Sequence, residues 1–74
     1  MFGKKITKII HIEGLMCKGC VKRVENVLSA INEVKEFNVS LENKCATVVL
    51  KKEVSDEFLA NAITNLGFKV TSIE

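Results

Sequence analysis

Apolar and polar residues alternate with different periods along the chain, and each period predicts one element of secondary structure. Residues 4–13 show a period of two, which predicts a strand in which Lys8 interrupts an isoleucine-rich face. That face comprises Ile6, Ile10 and Ile12. Residues 18–32 carry apolar side chains three, four and seven positions apart, which predicts an amphipathic helix. Its apolar stripe comprises Val21, Val24, Val27, Leu28 and Ile31.

The second half of the chain repeats this change of period. Residues 34–41 and 45–50 alternate again, and the turn-forming residues Glu42-Asn43-Lys44 between them predict a β-hairpin. Ser55 is a favourable helix N-cap, and the two acids after it suit the first turn of a second helix. The apolar stripe of this helix comprises Phe58, Leu59, Ala62, Ile63 and Leu66.

The pattern ends with Gly67, which stands where a helix C-cap glycine belongs, and with a short strand over residues 68–73. The element order is therefore βαββαβ, which predicts an α+β, ferredoxin-like sandwich. In this fold a four-stranded antiparallel sheet carries both helices on one face. The loop after the first strand, the hairpin turn and the Gly67-Phe68 loop are predicted to meet at one end of the sheet.

Length and charge exclude several classes of protein. A chain of 74 residues is one domain at most, and it has no apolar stretch long enough to insert into a membrane. Residues 1–24 hold six basic residues against Glu13 alone, a net charge of +5, whereas residues 25–74 have a net charge of −3. A basic half favours an acidic partner. Nucleic acid is not expected, because both stacking aromatics and a dense basic stripe are missing.

Cys17 and Cys20 form a C-x-x-C pair at the predicted start of the first helix. Spacing of three at this point brings both sulfur atoms to one side, and the positive end of the helix favours thiolates. With no signal peptide before them, we expect a reducing cytoplasmic location and no disulfide framework. Cys45 and His11 are predicted to lie on the open face of the sheet, as a plain thiol and a solvated side chain.

Two converging thiolates are soft ligands, which favours Cu(I) or Zn(II) over hard cations. Cu(I) accepts two ligands whereas zinc prefers four, so Cu(I) is the favoured metal. A c-type haem would need His after the second cysteine, and residue 21 is Val. Fe–S clusters usually need four cysteines. Thiol–disulfide exchange stays open as a less favoured alternative, because a reactive thiol serves it equally well.

The sequence resembles the heavy-metal-associated domains, which include small bacterial copper chaperones and the N-terminal domains of copper-transporting P-type ATPases. The resemblance covers nearly the whole chain, which we interpret as one such domain over residues 1–74. It rests on Ile12-Glu13-Gly14, the C-x-x-C pair, the hairpin at Val39-Ser40-Leu41-Glu42-Asn43-Lys44, and Gly67-Phe68. The chain departs from the family pattern G-M-x-C-x-x-C, because Leu15 occupies the Met position and Met16 the variable one.

The resemblance implies Cu(I) held by Cys17 and Cys20 and passed by ligand exchange to a partner with the same motif. It also implies that Leu15 replaces the buried Met under the loop and that Phe68 faces the metal. Family members that handle zinc or cadmium tend to have an acidic residue where this chain has Met16, which argues against those two metals. Zn(II), Cd(II) and Hg(II) remain open as other soft metals.

The implied partner is an acidic metal-binding domain of a copper-transporting ATPase or a similar acceptor, and a metal-bridged homodimer is an open alternative. Lys18, Lys22 and Arg23 border the cysteine loop and form the predicted docking surface for this partner. The resemblance leaves two arrangements open: a freestanding chaperone and a domain of the ATPase itself. In both, the domain binds and transfers metal and is not an enzyme.

Overall fold

The computed structural model describes residues 6–74, and its elements follow the predicted order. The four strands and two helices are β1 (Ile6–Glu13), α1 (Lys18–Ser29), β2 (Val34–Ser40), β3 (Cys45–Leu50), α2 (Asp56–Thr64) and β4 (Lys69–Ile73). Residues 4 and 5 of the predicted first strand lie outside the described residues. No helix within residues 6–74 is long and apolar enough to cross a membrane.

All strand pairs are antiparallel, in the order β2-β3-β1-β4, so the two edges of the sheet are β2 and β4. The β2–β3 turn lies where the sequence predicts it. The N–H of Asn43 donates to Ser40 Oγ at 3.1 Å, and Lys44 has a positive φ of 54°. These features confirm the ferredoxin-like βαββαβ fold.

The core is a single apolar layer between one face of the sheet and the two helices. Ten side chains are buried in it, namely Ile10, Ile12, Leu15, Val24, Leu28, Ala46, Val48, Leu50, Leu59 and Ile63. Each helix contributes two of them, at a spacing of four residues that places both on one side of the helix. Both helices therefore cover the same face of the sheet, as predicted.

Two β-bulges adjust which side chains reach this core. In β2, Val34 pairs with Leu50 and Glu36 with Val49, so Lys35 is an extra residue. The extra residue turns Val34 to the same face as Phe37, although the two are three positions apart. A second bulge in β4 leaves Thr71 unpaired, and it brings Val70 and Ile73 opposite buried isoleucines of β1.

Helix α1 is shorter than the predicted range of residues 18–32. It ends at Ser29, and the N–H groups of Ala30 and Ile31 donate to carbonyls only three residues earlier. This tighter turn still packs Ile31 against the core, which explains why the apolar period continues beyond the helix. In α2, Phe58 is 49% exposed and does not belong to the predicted buried stripe. The last strand begins at Lys69, one residue later than predicted.

The interruption of the first strand by Lys8 has a structural explanation. Lys8 lies opposite the buried Val48 and therefore faces the helices. Its ammonium group reaches the Asp56 carboxylate in the first turn of α2, at 3.0 Å. Because both groups are partly exposed, this ion pair contributes at most about 1 kcal/mol.

Three connections meet at one end of the sheet, as predicted. The N–H of Ile12 donates to the carbonyl of Lys44 at 2.9 Å, which places the hairpin turn beside the end of β1. Glu13 pairs with Lys69, which places the loop before β4 at the same end. The loop between β1 and α1, residues 14–17, lies between these two connections and carries the first cysteine.

Candidate metal centre

The loop from residue 14 to residue 17 leaves the sheet at a glycine and is held by a buried leucine. Gly14 has a φ of +97°, a conformation that side-chain-bearing residues rarely adopt. Leu15 follows with no exposed surface and belongs to the core. Met16 is 78% exposed, so its thioether is not fixed by packing. The loop is thus anchored on one side and open to solvent on the other.

Both cysteines lie at the N-terminal end of α1. Cys17 is the N-cap residue with extended backbone, φ −150° and ψ 168°, and Cys20 lies in the first turn. Their sulfur atoms are 3.2 Å apart, a distance at which one thiol donates a hydrogen bond to the other. Cys17 is exposed, whereas Cys20 is half-buried against the core. Solvent or a partner can therefore reach the pair from the side of Cys17.

The surroundings lower the pKa of Cys17. The main cause is the hydrogen bond from the Cys20 thiol, followed by the N–H of Cys20, with a smaller contribution from the N–H of Gly19. No carboxylate occupies the first turn of α1, and the N-cap residue is the cysteine itself. The positive end of the helix therefore acts on the sulfur of Cys17, and this favours the thiolate.

Gly19 contributes to the site in a way that the sequence analysis missed. A Cβ atom at this position would lie 3.8 Å from the sulfur of Cys17, in ordinary van der Waals contact. Glycine therefore leaves the space beside the sulfur of Cys17 unfilled. The signal was present in the sequence as a glycine between the two cysteines.

Phe68 lies beside the start of the cysteine loop. It follows Gly67, whose φ is +101°, and its half-buried ring packs against the core. A Cβ atom added to Gly14 would lie 3.6 Å from Phe68 Cδ1, so the ring lies close to the start of the cysteine loop. The guanidinium group of Arg23 lies 6.0 Å from the centre of the ring. The half-buried Phe68 thus lies between Gly14 and Arg23 of α1.

The three predicted docking residues differ in their surroundings. Lys18, Lys22 and Arg23 are all exposed on α1. Within residues 6–74 the Asp56 carboxylate contacts Lys8 and the Glu74 carboxylate contacts His11, and neither Lys18 nor Lys22 is paired with a described acid. Arg23 instead donates from Nη2 to the carbonyl of Leu66 at 3.4 Å. Only the two lysines leave their charge without a partner among the described residues.

No third donor completes a metal cluster in the described part of the chain. Cys45 is half-buried and pairs with His11 across the β1–β3 ladder. His11 Nε2 lies 2.6 Å from a carboxylate oxygen of Glu74. A surface cavity of about 300 Å³ lies near Val54 and Phe58, at the other end of the sheet. The donor set at the loop is therefore two thiols, which fits a soft ion that accepts two ligands.

The sequence profile of the heavy-metal-associated domain matches residues 9–69 of the chain. A match of this extent shows that the chain belongs to the heavy-metal-associated domain family. The resemblance identified from the cysteine motif and the two flanking loops is thereby confirmed.

Known relatives and solved structures agree with this assignment. The chain is 37% identical over 60 residues to copper-transporting ATPase 1 of Rattus norvegicus, covering 80% of this chain and 4% of the ATPase. It is 38% identical over 60 residues to the mercuric reductase of Shewanella putrefaciens, covering 81% of this chain and 11% of the reductase. The structure of the CopZ metallochaperone matches with a TM-score of 0.82 at 30% identity, covering 89% of this chain and all of CopZ.

The lowered pKa of Cys17 predicts its pattern of alkylation. Below the pKa of a thiol the reactive thiolate is scarce, so the rate with iodoacetamide rises as the pH passes through that pKa. We expect the midpoint for Cys17 to lie at lower pH in the folded protein than in urea. Cys20→Ala removes the largest cause and should raise the midpoint. Peptide mass spectrometry measures each cysteine separately, and an unchanged midpoint in Cys20→Ala would contradict this assignment of the cause.

Proposed function

We propose that this domain binds one Cu(I) ion through the thiolates of Cys17 and Cys20 and passes it to a partner by ligand exchange. The observation that carries the proposal is the 3.2 Å separation of two sulfur atoms at an exposed helix start. The similarity to a copper-transporting ATPase and to CopZ supports copper over other soft metals. The similarity to a mercuric reductase makes Hg(II) the first competitor to test.

Binding of the ion displaces the protons of the two thiols. Each ligand must be deprotonated, so uptake of the ion releases protons and strengthens as the pH rises. The lowered pKa of Cys17 reduces this proton competition. Leu15, fully buried beneath the loop, supports the two sulfur atoms without supplying a donor.

Transfer requires the sulfur pair to meet a second pair. An incoming thiolate adds to Cu(I) while one of the original cysteines leaves, so the ion keeps at least two ligands throughout. The exposed Cys17 suits the first exchange, because it is the more accessible of the two. The half-buried Cys20 would leave last. The domain would act in the cytoplasm by binding and transfer alone, and the same mechanism serves a freestanding chaperone or a domain within a longer transporter.

The first experiment is a titration with Cu(I) against a competing chelator. We expect one ion per chain, and Cys17→Ser or Cys20→Ser should each weaken binding by at least about a hundredfold, about 2.7 kcal/mol. Cys45→Ser is the matched control, because Cys45 lies on the open face, and its affinity should equal that of the wild type. Wild-type affinity in the Cys17→Ser, Cys20→Ser double variant would refute the proposal. Parallel titrations with Zn(II) and Hg(II) would decide the preference.

The proposed partner is an acidic metal-binding domain, attracted by the exposed charges of Lys18 and Lys22. Long-range attraction accelerates encounter more than it strengthens the final complex, and salt weakens it. We expect Lys18→Glu, Lys22→Glu to slow copper transfer to an acidic acceptor domain at low salt by about tenfold or more. Copper affinity of the isolated domain is measured alongside, because Lys18 lies between the two cysteines and its charge also acts on their thiolates.

The control for this experiment is Lys51→Glu, Lys52→Glu. It changes the net charge equally, but both lysines follow the end of β3, far from the cysteines. Stopped-flow transfer at low and high salt distinguishes a local docking surface from an effect of total charge. Equal slowing by both double variants would contradict a docking surface at α1.

A further inference from the structure

The guanidinium group of Arg23 lies near three features, namely the C-terminal end of α2, the carbonyl of Leu66 and the Phe68 ring. The last turn of α2 has no basic residue, so the negative end of that helix lacks compensation from its own sequence. Arg23 of α1 approaches it and donates to the carbonyl of Leu66, at 3.4 Å. The same guanidinium group lies 6.0 Å from the centre of the Phe68 ring, within reach of a cation–π interaction.

These contacts connect the helix of the cysteines with the loop before β4. Arg23 lies three residues after Cys20, on the same side of α1. Phe68 lies close to Gly14 at the start of the cysteine loop, where an added Cβ atom would be 3.6 Å from its ring. Gly67, between Leu66 and Phe68, has a φ of +101°, and a Cβ atom at this position would meet nothing within 4 Å. Leu66 and Phe68 on either side of Gly67 pack partly against the core, and Arg23 adds a contact from α1 to each of them.

We propose that Arg23 is a positioning residue that holds the Leu66–Phe68 loop against the cysteine loop, so that Phe68 limits access to the bound metal. This inference rests on the proposed function and changes one part of it. The docking charge belongs to Lys18 and Lys22, and Arg23 acts within the domain. Loss of Arg23 opens the loop more often, and the bound ion then exchanges faster with any acceptor, charged or not.

The first arm of the test is amide hydrogen exchange, measured by NMR on the metal-free protein. Arg23→Met keeps an apolar stem of similar reach but removes the charge and the donors. We expect exchange at Gly67 and Lys69 to accelerate about threefold to fivefold, as expected for the loss of one exposed cation–π contact. Val48 in the core should be unaffected. Lys22→Met, which removes a neighbouring charge, is the matched control and should change neither region.

The second arm measures release of Cu(I) to a small uncharged chelator, at low and high salt. Arg23→Met should release the ion about threefold to fivefold faster at both salt concentrations, whereas Lys22→Met should match the wild type. Phe68→Leu keeps an apolar side chain but removes the ring. In that background the further effect of Arg23→Met should be small, because the two residues act through one contact.

The two arms distinguish this inference from the proposed function. If copper binding failed altogether, the exchange arm on the metal-free protein would still decide whether Arg23 holds the loop. Equal amide exchange in Arg23→Met and Lys22→Met would overturn the positioning role. A second contradicting result is an effect of Arg23→Met that appears only with an acidic protein acceptor and vanishes at high salt. That result would contradict the positioning role and show that Arg23 belongs to the docking surface.

Discussion

The burial of Leu15 is the constraint on which the candidate site depends. This side chain lies in the same apolar layer as Val24 and Leu28 of α1, with no exposed surface. Two residues later the chain must supply an exposed sulfur at the start of that helix. Because Leu15 cannot leave the core without a large loss of apolar burial, the loop has one position relative to α1. The two thiols are thus held in place by a buried neighbour.

The topology extends this constraint to the rest of that end of the molecule. Antiparallel pairing of β1 with β3 and β4 brings the hairpin turn and the Phe68 loop beside the loop of Leu15. Each of the three loops is short and begins or ends at a strand. The proposed soft-metal site therefore needs no deep cavity. Two thiols at the meeting point of three short connections are sufficient for it.

Periodicity predicted the type and order of every element, because each element buries one face and therefore repeats every two or about four residues. It could not predict the bulges at Lys35 and Thr71. A bulge shifts the alternation by one residue, and in a short strand the shift resembles an irregular pattern. The apolar periodicity also predicted that α1 extends beyond Ser29. That prediction is wrong because Ile31 reaches the core from a tighter turn that keeps nearly the same spacing.

The closeness of the two cysteines was predictable, because a spacing of three at a helix start brings both sulfur atoms to one side. The surroundings of Arg23 were not. Its contact with Leu66 joins residues 43 positions apart, and an exposed arginine has no periodic pattern that identifies its partner. Charge alone groups Arg23 with Lys18 and Lys22, and all three are exposed. Only the fold shows that Arg23 also lies near the Phe68 ring and the carbonyl of Leu66.

The proposed site is tested most directly by X-ray absorption spectroscopy at the copper edge of the one-to-one Cu(I) complex. We expect two sulfur neighbours, contributed by Cys17 and Cys20, and the same spectrum in Cys45→Ser. A third sulfur or a nitrogen neighbour in the monomer would contradict it. Such a result would mean that Met16, Cys45 or His11 moves to the metal, although neither Cys45 nor His11 belongs to a three-donor cluster within residues 6–74.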